Sequence, residues 1–229
     1  SGLAGGRGGH MHLLDPEVNF SCSGIIAQGT SPAVGAALAA RMSGKDAVAV
    51  SYLGEGAANQ GGFHEALNLA ALWNLPVIFV IEDNGWGISV PKSKSTAVAD
   101  NSVRAAGYGM PGFHVADNDT LELFKVAGEA VARARRGEGP TLIEVETYRY
   151  YGHFQGDPEL YRPKDEVAEL KARDPIRRLR EAMIAGGEVT EAEADEALAR
   201  AKAEVDEAFA FAKAAAYPAP DEALEHVFA

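Results

Sequence analysis

Apolar residues recur along the chain in two patterns, one typical of buried strands and the other of helices. Short apolar runs predict strands, and longer segments with apolar residues three and four positions apart predict helices. The predicted strands are 47–53, 76–81, 113–116 and 141–148, and the predicted helices are 32–42, 61–73 and 120–136. Strands that alternate with helices predict an α/β fold, in which a parallel sheet carries helices on both faces.

The pattern changes after Tyr151. A polar loop over 152–164 precedes helices that begin near Asp174 and Thr190, and Thr190 with Glu193 matches a capping box. The segment 217–220 is predicted to be extended on a surface. Residues 1–150 are therefore predicted to form an α/β domain, and residues 151–229 a loop and a C-terminal helical extension of the same domain.

Composition and charge narrow the classes of partner. Hydrophobic residues make up 47% of the chain and charged residues 24%, which is typical of a globular protein. The formal net charge of -12 makes nucleic acid and anionic membranes poor partners. The single cysteine, Cys22, excludes an intrachain disulfide and favours a reducing compartment, so we expect a cytoplasmic protein.

The beginning of the sequence is rich in glycine over residues 1–9. It lacks the apolar core of a signal peptide, and no apolar stretch approaches the roughly 20 residues that span a bilayer. Two interpretations stay open for this segment, a loop that belongs inside a larger fold and a flexible tail.

The first candidate for chemistry is the turn after the strand 47–53. Its glycines, Gly54 and Gly56, allow backbone N–H groups to approach a diphosphate at a helix start. Glu55 would repel that diphosphate unless a divalent cation lay between them, which indicates magnesium. Asn84 follows the next strand, so its side chain can lie beside Glu55. Alone, such a turn motif is weak and usually marks only a tight turn.

Longer motifs carry a resemblance to a known family. They are Arg7-Gly-Gly-His-Met-His12, Gly24-Ile-Ile-Ala27, Gly54-Glu-Gly-Ala-Ala-Asn-Gln-Gly61, Glu65-Ala-Leu-Asn-Leu-Ala-Ala-Leu-Trp73, Glu82-Asp-Asn-Gly-Trp-Gly87 and Tyr148-Arg-Tyr-Tyr-Gly-His-Phe-Gln-Gly-Asp-Pro158. In this order, they resemble the α subunit of thiamine-diphosphate-dependent 2-oxo acid dehydrogenase E1 components. The resemblance covers nearly the whole chain and implies the thiamine-diphosphate-binding fold.

The resemblance also implies roles for individual residues. Metal ligands would be Glu55, Asn84 and the main-chain oxygen of Trp86, and the cofactor would be thiamine diphosphate with Mg²⁺. The remaining implied cofactor contacts are the backbone of Gly54, Gly56 and Ala57 at the diphosphate, Gly24 at the aminopyrimidine, Ile26 at the bend of the cofactor, and the active-site histidine His153.

Other interpretations stand beside these roles. Ile26 has the residue type of an ordinary core position, and Glu65 is either a buried carboxylate at a subunit contact or part of a solvated helix face. Five histidines other than His153 are interpreted as surface or packing residues: His10, His12, His64, His114 and His226.

The sequence departs from the family pattern in two respects. The family usually has Asp where this chain has Glu55, and the extra methylene moves the carboxylate by roughly 1.5 Å, which bears on metal choice and affinity. The family's α subunit also begins well before Arg7. We therefore expect an upstream part, either as a separate chain or as sequence not included here.

The resemblance implies an enzyme that is active only with a β subunit, in an α2β2 heterotetramer. It would decarboxylate a 2-oxo acid, or cleave acetoin, and pass the acyl group to a lipoyl-bearing E2 acyltransferase. The version of the motif over residues 152–158 is closer to acetoin dehydrogenase α subunits. A transketolase-like carboligase subunit and a non-catalytic interaction subunit are the alternative functions.

Overall fold

Four strands pair in parallel to form the sheet around which the chain folds. The computed structural model describes residue 9 and residues 11–225. The strands are β1 (Leu14–Asp15), β2 (Phe20–Ser21), β3 (Ala49–Gly54), β4 (Val77–Asp83), β5 (Trp86–Gly87), β6 (Val90–Pro91), β7 (Gly112–Val115) and β8 (Thr141–Glu146). The α-helices are α1 (Thr30–Met42), α2 (Gly61–Leu72), α3 (Lys92–Ser95), α4 (Thr120–Arg135), α5 (Lys164–Ala172), α6 (Pro175–Ala185) and α7 (Glu191–Ala214).

The order of strands in the parallel sheet is β3-β4-β8-β7, while β1 with β2 and β5 with β6 form short antiparallel pairs. In the register of β3 and β4, Gly54 lies opposite Glu82, and in that of β4 and β8, Asp83 lies opposite Glu146. The carboxyl ends of three neighbouring strands therefore coincide at one edge of the sheet.

Both faces of this sheet pack against helices, because successive side chains of a strand point to opposite faces. One face packs against α1 and α2 in a core that includes Phe63, Leu67, Phe79, Ile81 and Leu142. The other face packs against α4 in a smaller core formed by Ile78, Val115, Val126, Ala130, Ile143 and Val145. The predicted fold class, a parallel sheet with helices on both faces, is confirmed.

Two helices, α4 and α7, begin at capping residues in the sequence. Asp119 precedes α4, and its carboxylate accepts hydrogen bonds of 3.0 Å from the backbone N–H groups of Leu121 and Glu122. Before α7, the Thr190 side chain accepts from the N–H of Glu193, whose carboxylate accepts from the N–H of Thr190, so the predicted capping box is confirmed.

Several predicted boundaries were wrong by a few residues. The strand predicted to reach Tyr148 ends at Glu146, because its neighbour β4 ends at the register partner Asp83. Several elements were not predicted, among them the short helix α3, the 3-10 helix Asn101–Tyr108, and α5. The last segment is exposed around Tyr217 and continues into a 3-10 helix, Pro220–Leu224.

The chain divides into two compact units. One comprises Ile25–Leu179 and contains the parallel sheet. The other comprises the described residues up to Gly24 and those from Arg180 onward, and in it Arg180 donates a 2.7 Å hydrogen bond to Asp195. Within residues 11–225, no helix is both long enough and apolar enough to cross a membrane.

A matched pair of leucines on α2 tests this packing. Leu67 is fully buried, whereas Leu72, the last residue of the helix, is 70% exposed. We expect Leu67→Ala to lower the free energy of unfolding by about 2–5 kcal/mol, because it removes buried methyl groups and leaves a cavity. Leu72→Ala should change it by no more than about 0.5 kcal/mol. Equal effects in urea denaturation would contradict the packing described here.

Candidate functional site

The turn after β3 brings backbone and a carboxylate to the carboxyl edge of the sheet. Glu55 and Gly56 follow β3 directly, and a 3-10 helix, Ala57–Asn59, then leads into α2. Gly56 faces the β5–β6 hairpin, where a Cβ atom on Gly56 would lie 3.3 Å from the Cα atom of Gly87. The two backbones therefore approach each other too closely for a side chain at Gly56 without a shift of its neighbour.

Glu55 is buried beside Asn84 and makes only part of its possible hydrogen bonds. Its side chain is 1% exposed, and Oε2 accepts a hydrogen bond of 3.3 Å from the backbone N–H of Asn84. Within the described part of the chain, neither Oε1 of Glu55 nor Oδ1 of Asn84 has a hydrogen-bond partner, although both atoms are buried. Leaving buried polar atoms unpaired is costly, so these two oxygens mark a place for a ligand.

Burial also makes the charge of Glu55 costly. It raises the pKa of Glu55 above its ordinary value, the hydrogen bond from its own backbone N–H opposes this, and the nearby charge of Asp83 adds to it. A cation bound to the free oxygen would reverse this shift, since it favours the ionised carboxylate.

The donor set fits a hard divalent cation. Mg²⁺ prefers oxygen ligands and is usually held by one or two protein carboxylates together with phosphate oxygens and water. The unpaired oxygens of Glu55 and Asn84 are a carboxylate and an amide oxygen at adjacent strand ends. Over residues 11–225, no group of three or more His, Cys, Asp or Glu side chains is placed to hold a metal.

The main-chain oxygen of Trp86, the third expected metal ligand, already takes part in a contact. The Arg149 guanidinium donates to it through Nη1 at 3.4 Å, and through Nη2 to the oxygen of Ile88 at 2.8 Å. The Trp86 indole donates to Glu166 at 2.9 Å, and its ring lies 5.4 Å from that of Tyr161. The β5–β6 hairpin is thus held by residues from the segment after β8.

The loop with His153 is anchored through a carboxylate. Asp157 accepts a 2.8 Å hydrogen bond from the backbone N–H of His153 and one of 2.6 Å from the Tyr161 hydroxyl. The bond from Tyr161, followed by the N–H groups of Glu159 and His153, lowers the pKa of Asp157 to about 2. Arg149 donates to the Tyr161 hydroxyl at 2.9 Å, so one guanidinium contacts both this loop and the hairpin.

The remaining predicted cofactor contacts lie on exposed backbone. The Ile26 side chain is 57% exposed, so the alternative that it is an ordinary core residue was wrong. Gly24 belongs to the other compact unit, where a Cβ atom on it would come within 3.2 Å of Met11. Glu65 is exposed on α2, as the solvated-face interpretation expects. Residues 1–8, His10 and His226 lie outside the described residues, and with them half of the Arg7–His12 motif.

A buried charge cluster next to Asn84 was not predicted from the sequence. Lys92 forms ion pairs with Asp83 and, at 3.0 Å, with Glu144. Glu144 is completely buried and also accepts from the Ser102 N–H at 2.8 Å. A signal was present, because Glu144 interrupts the otherwise apolar run of β8, and a charge inside a parallel sheet needs a partner.

The cluster shifts the pKa of each of its three charged groups. Burial raises the pKa of Asp83. Burial alone would also raise that of Glu144, but hydrogen bonds from residues 101 and 102 and from Lys92 lower it. Burial alone would lower the pKa of Lys92, but its bonds to the two carboxylates raise it. The contribution of Lys92 to stability is therefore fully present at neutral pH and is lost only above its ordinary pKa.

The fold defines an α/β protein with a candidate ligand site at the carboxyl ends of parallel strands. The model of the family described as "Dehydrogenase E1 component" matches residues 1–221. The chain belongs to this family. Its similar relatives are named as alpha subunits of an acetoin oxidoreductase, a pyruvate dehydrogenase E1 component and a 2-oxoisovalerate dehydrogenase.

Three relatives show the extent of the similarity. The chain is 42% identical to the alpha subunit of acetoin:2,6-dichlorophenolindophenol oxidoreductase of Cupriavidus necator over 229 residues, 99% of this chain and 69% of the relative. It is 45% identical to the 2-oxoisovalerate dehydrogenase subunit alpha of Bacillus subtilis over 216 residues, which are 89% of this chain and 64% of the relative. It is 41% identical to the pyruvate dehydrogenase E1 component subunit alpha of Rhizobium meliloti over 194 residues, 84% and 56%. The chain thus spans between about half and about two thirds of the length of these relatives.

The buried cluster predicts that replacing Lys92 lowers the stability of the protein by an amount that depends on pH. Lys92→Met should lower the free energy of unfolding by about 3–5 kcal/mol at pH 7, because it leaves two buried carboxylates uncompensated. Their pKa values would then lie above those of the unfolded chain, so the variant should regain stability as the pH falls from 7 to 5.

Lys94→Met is the matched control, since Lys94 is an exposed residue of the same short helix. It should leave the unfolding curve nearly unchanged at both pH values. A Lys92 variant as stable as the Lys94 variant at pH 7 would show that the cluster does not carry the described charge pairing.

Proposed function

We propose that this chain is the cofactor-binding α subunit of a thiamine-diphosphate-dependent 2-oxo acid or acetoin dehydrogenase E1, and that it binds the cofactor diphosphate through Mg²⁺. The observation that carries the proposal is the pair of buried, unpaired oxygens of Glu55 and Asn84 at neighbouring strand ends. Family membership and the names of the relatives support the reaction class.

The proposed metal ligands are Oε1 of Glu55, Oδ1 of Asn84 and the main-chain oxygen of Trp86. A carbonyl oxygen has two lone pairs, so the 3.4 Å bond from Arg149 leaves the Trp86 oxygen able to bind a cation. Backbone from Gly54 to Ala57 would contact the diphosphate, because backbone N–H groups near the start of a helix bind anions. Gly24 and Ile26 would contact the rest of the cofactor.

His153 is proposed as the residue that moves a proton during the reaction. Its imidazole is exposed, and the backbone of its loop is fixed by Asp157. An imidazole so placed can accept a proton in its neutral form and donate one when charged. Bound thiamine diphosphate would supply the nucleophilic carbon and the electron sink that cleavage next to a carbonyl requires.

The partners belong to the same proposal. The relatives are named as alpha subunits, which supports a β subunit as partner in an α2β2 assembly and an enzyme inactive without it. Acyl transfer to a lipoyl-bearing E2 acyltransferase would complete the reaction. A cytoplasmic location stays a prediction from the single cysteine, Cys22.

The metal site has a direct test in titration calorimetry of thiamine diphosphate with and without Mg²⁺. Glu55→Ala should weaken Mg²⁺-dependent binding by at least about tenfold, because the carboxylate ligand is lost. Glu55→Asp should bind Mg²⁺ as tightly as the unchanged chain or more tightly, since it keeps a carboxylate.

Glu82→Gln is the matched control, because Glu82 is an exposed carboxylate opposite Gly54 in the register of β3 and β4. It should bind the cofactor as the unchanged chain does. Unchanged Mg²⁺-dependent binding in Glu55→Ala would refute the ligand role of Glu55.

The role of His153 is tested by activity and binding together. In the assembled E1, His153→Ala should lower kcat by about 100- to 10,000-fold, because proton transfer is lost, and should weaken cofactor binding far less than Glu55→Ala does, because His153 is not a proposed metal ligand. Gln155→Ala alters an exposed side chain of the same loop and should keep activity. If His153→Ala keeps full kcat, His153 does not act in the reaction.

A further inference from the structure

A second hydrogen-bond network surrounds Arg104, on the 3-10 helix Asn101–Tyr108. Its guanidinium donates through Nη2 to Oδ1 of Asn59 at 2.8 Å and through Nε to Oδ1 of Asn101 at 2.9 Å. Its Nη1 lies 3.2 Å from Nε2 of His64. Each of its three nitrogens therefore contacts a different residue, and these residues come from separate elements.

The contact with Asn59 bears on the turn after β3. Asn59 is the last residue of the 3-10 helix that follows Gly56, and its Nδ2 donates to Oγ1 of Thr96 at 2.9 Å. Its side-chain amide is thus held at the oxygen by Arg104 and at the nitrogen by Thr96. This fixes the end of the turn whose backbone is proposed to contact the diphosphate.

The contact between Arg104 and His64 determines which nitrogen of the His64 ring carries the proton. Nδ1 of His64 lies 2.7 Å from the Tyr108 hydroxyl. Burial lowers the pKa of His64, and the charge of Arg104 lowers it further. The ring is therefore neutral at pH 7, so Nε2 accepts from Arg104 while Nδ1–H donates to Tyr108. This tautomer satisfies all three groups.

The contact between Arg104 and Asn101 connects this network to the buried charge cluster of Lys92, Asp83 and Glu144. Nδ2 of Asn101 donates to Oε1 of Glu144 at 3.2 Å, and the same oxygen pairs with Lys92. Lys92 also pairs with Asp83, which precedes Asn84, and its backbone N–H donates to the oxygen of Gly85 at 2.8 Å. An unbroken series of hydrogen bonds thus joins the turn after Glu55 to both neighbours of Asn84.

We infer that Arg104 is a positioning residue of the cofactor site, which holds the turn 56–59 and the segment around Asn84 in a fixed relation. The guanidinium suits this role, since its planar fork donates in several fixed directions at once, whereas an ammonium does not. Arg104 does not contact the proposed metal ligands themselves. The inference rests on the proposed function for the identity of the ligand, but its effect on the turn is independent of any ligand.

The test compares Arg104→Lys with Arg136→Lys in the assembled E1. Arg136 is an exposed arginine that pairs with Glu138 on the surface, so it controls for the loss of a guanidinium. Two quantities are measured: deuterium exchange of the backbone amides of residues 57–61 without cofactor, and the dissociation constant of thiamine diphosphate with Mg²⁺.

Arg104→Lys should speed exchange at 57–61 by about tenfold or more and weaken cofactor binding by about tenfold, while amides in the core around Leu67 exchange as before. Asn59→Ala should have the same two effects. The double variant should differ little from either single variant, because both changes break the same hydrogen bond, the one between Arg104 and Asn59.

The inference is overturned if Arg104→Lys matches Arg136→Lys in both measurements. It is also overturned if exchange rises equally in the core, because that marks a general loss of stability rather than positioning. If the unchanged protein does not bind thiamine diphosphate, the proposed function fails, and the exchange at 57–61 still decides whether Arg104 orders the turn.

Discussion

Two oxygen atoms at the carboxyl edge of the sheet impose the constraint on which the rest of the site depends. Oε1 of Glu55 and Oδ1 of Asn84 are buried, and neither has a partner in the described part of the chain. A fold tolerates such atoms when something else satisfies them, and for a carboxylate and an amide oxygen at neighbouring strand ends a hard cation is the natural choice. The β3–β4 register brings both to the same edge.

The buried charges lead to the same conclusion. Around the strand ends, the carboxylates of Glu55, Asp83 and Glu144 face a single ammonium, that of Lys92. Lys92 pairs directly with Asp83 and Glu144, whereas, among the residues that the structure describes, the Glu55 carboxylate accepts a hydrogen bond from another residue only at the Asn84 backbone. A cation bound to Glu55 would supply the positive partner that this carboxylate lacks among the described residues. Lys92 thus completes the charge cluster with Asp83 and Glu144, and Oε1 of Glu55 remains for a ligand.

The strands were predictable from their apolar runs, with each carboxyl end placed within two residues, and Glu55 and Asn84 follow two such ends. The supports of the site were not predictable. Lys92 and Arg104 belong to short helices without a long apolar face, and their partners are distant in the sequence. Ile26 has the residue type of a core position, yet its side chain is exposed, since residue type alone does not show which side chains the tertiary fold covers.

We expect one divalent cation to bind both unpaired oxygens, Oε1 of Glu55 and Oδ1 of Asn84, when the diphosphate is present. The most direct measurement is a crystal structure of the chain with thiamine diphosphate and Mn²⁺ in place of Mg²⁺, in which anomalous scattering locates the ion. We predict a single ion about 2.0–2.2 Å from both Oε1 of Glu55 and Oδ1 of Asn84. Bound cofactor with the ion at another place, or with water alone between these two oxygens, would contradict the account.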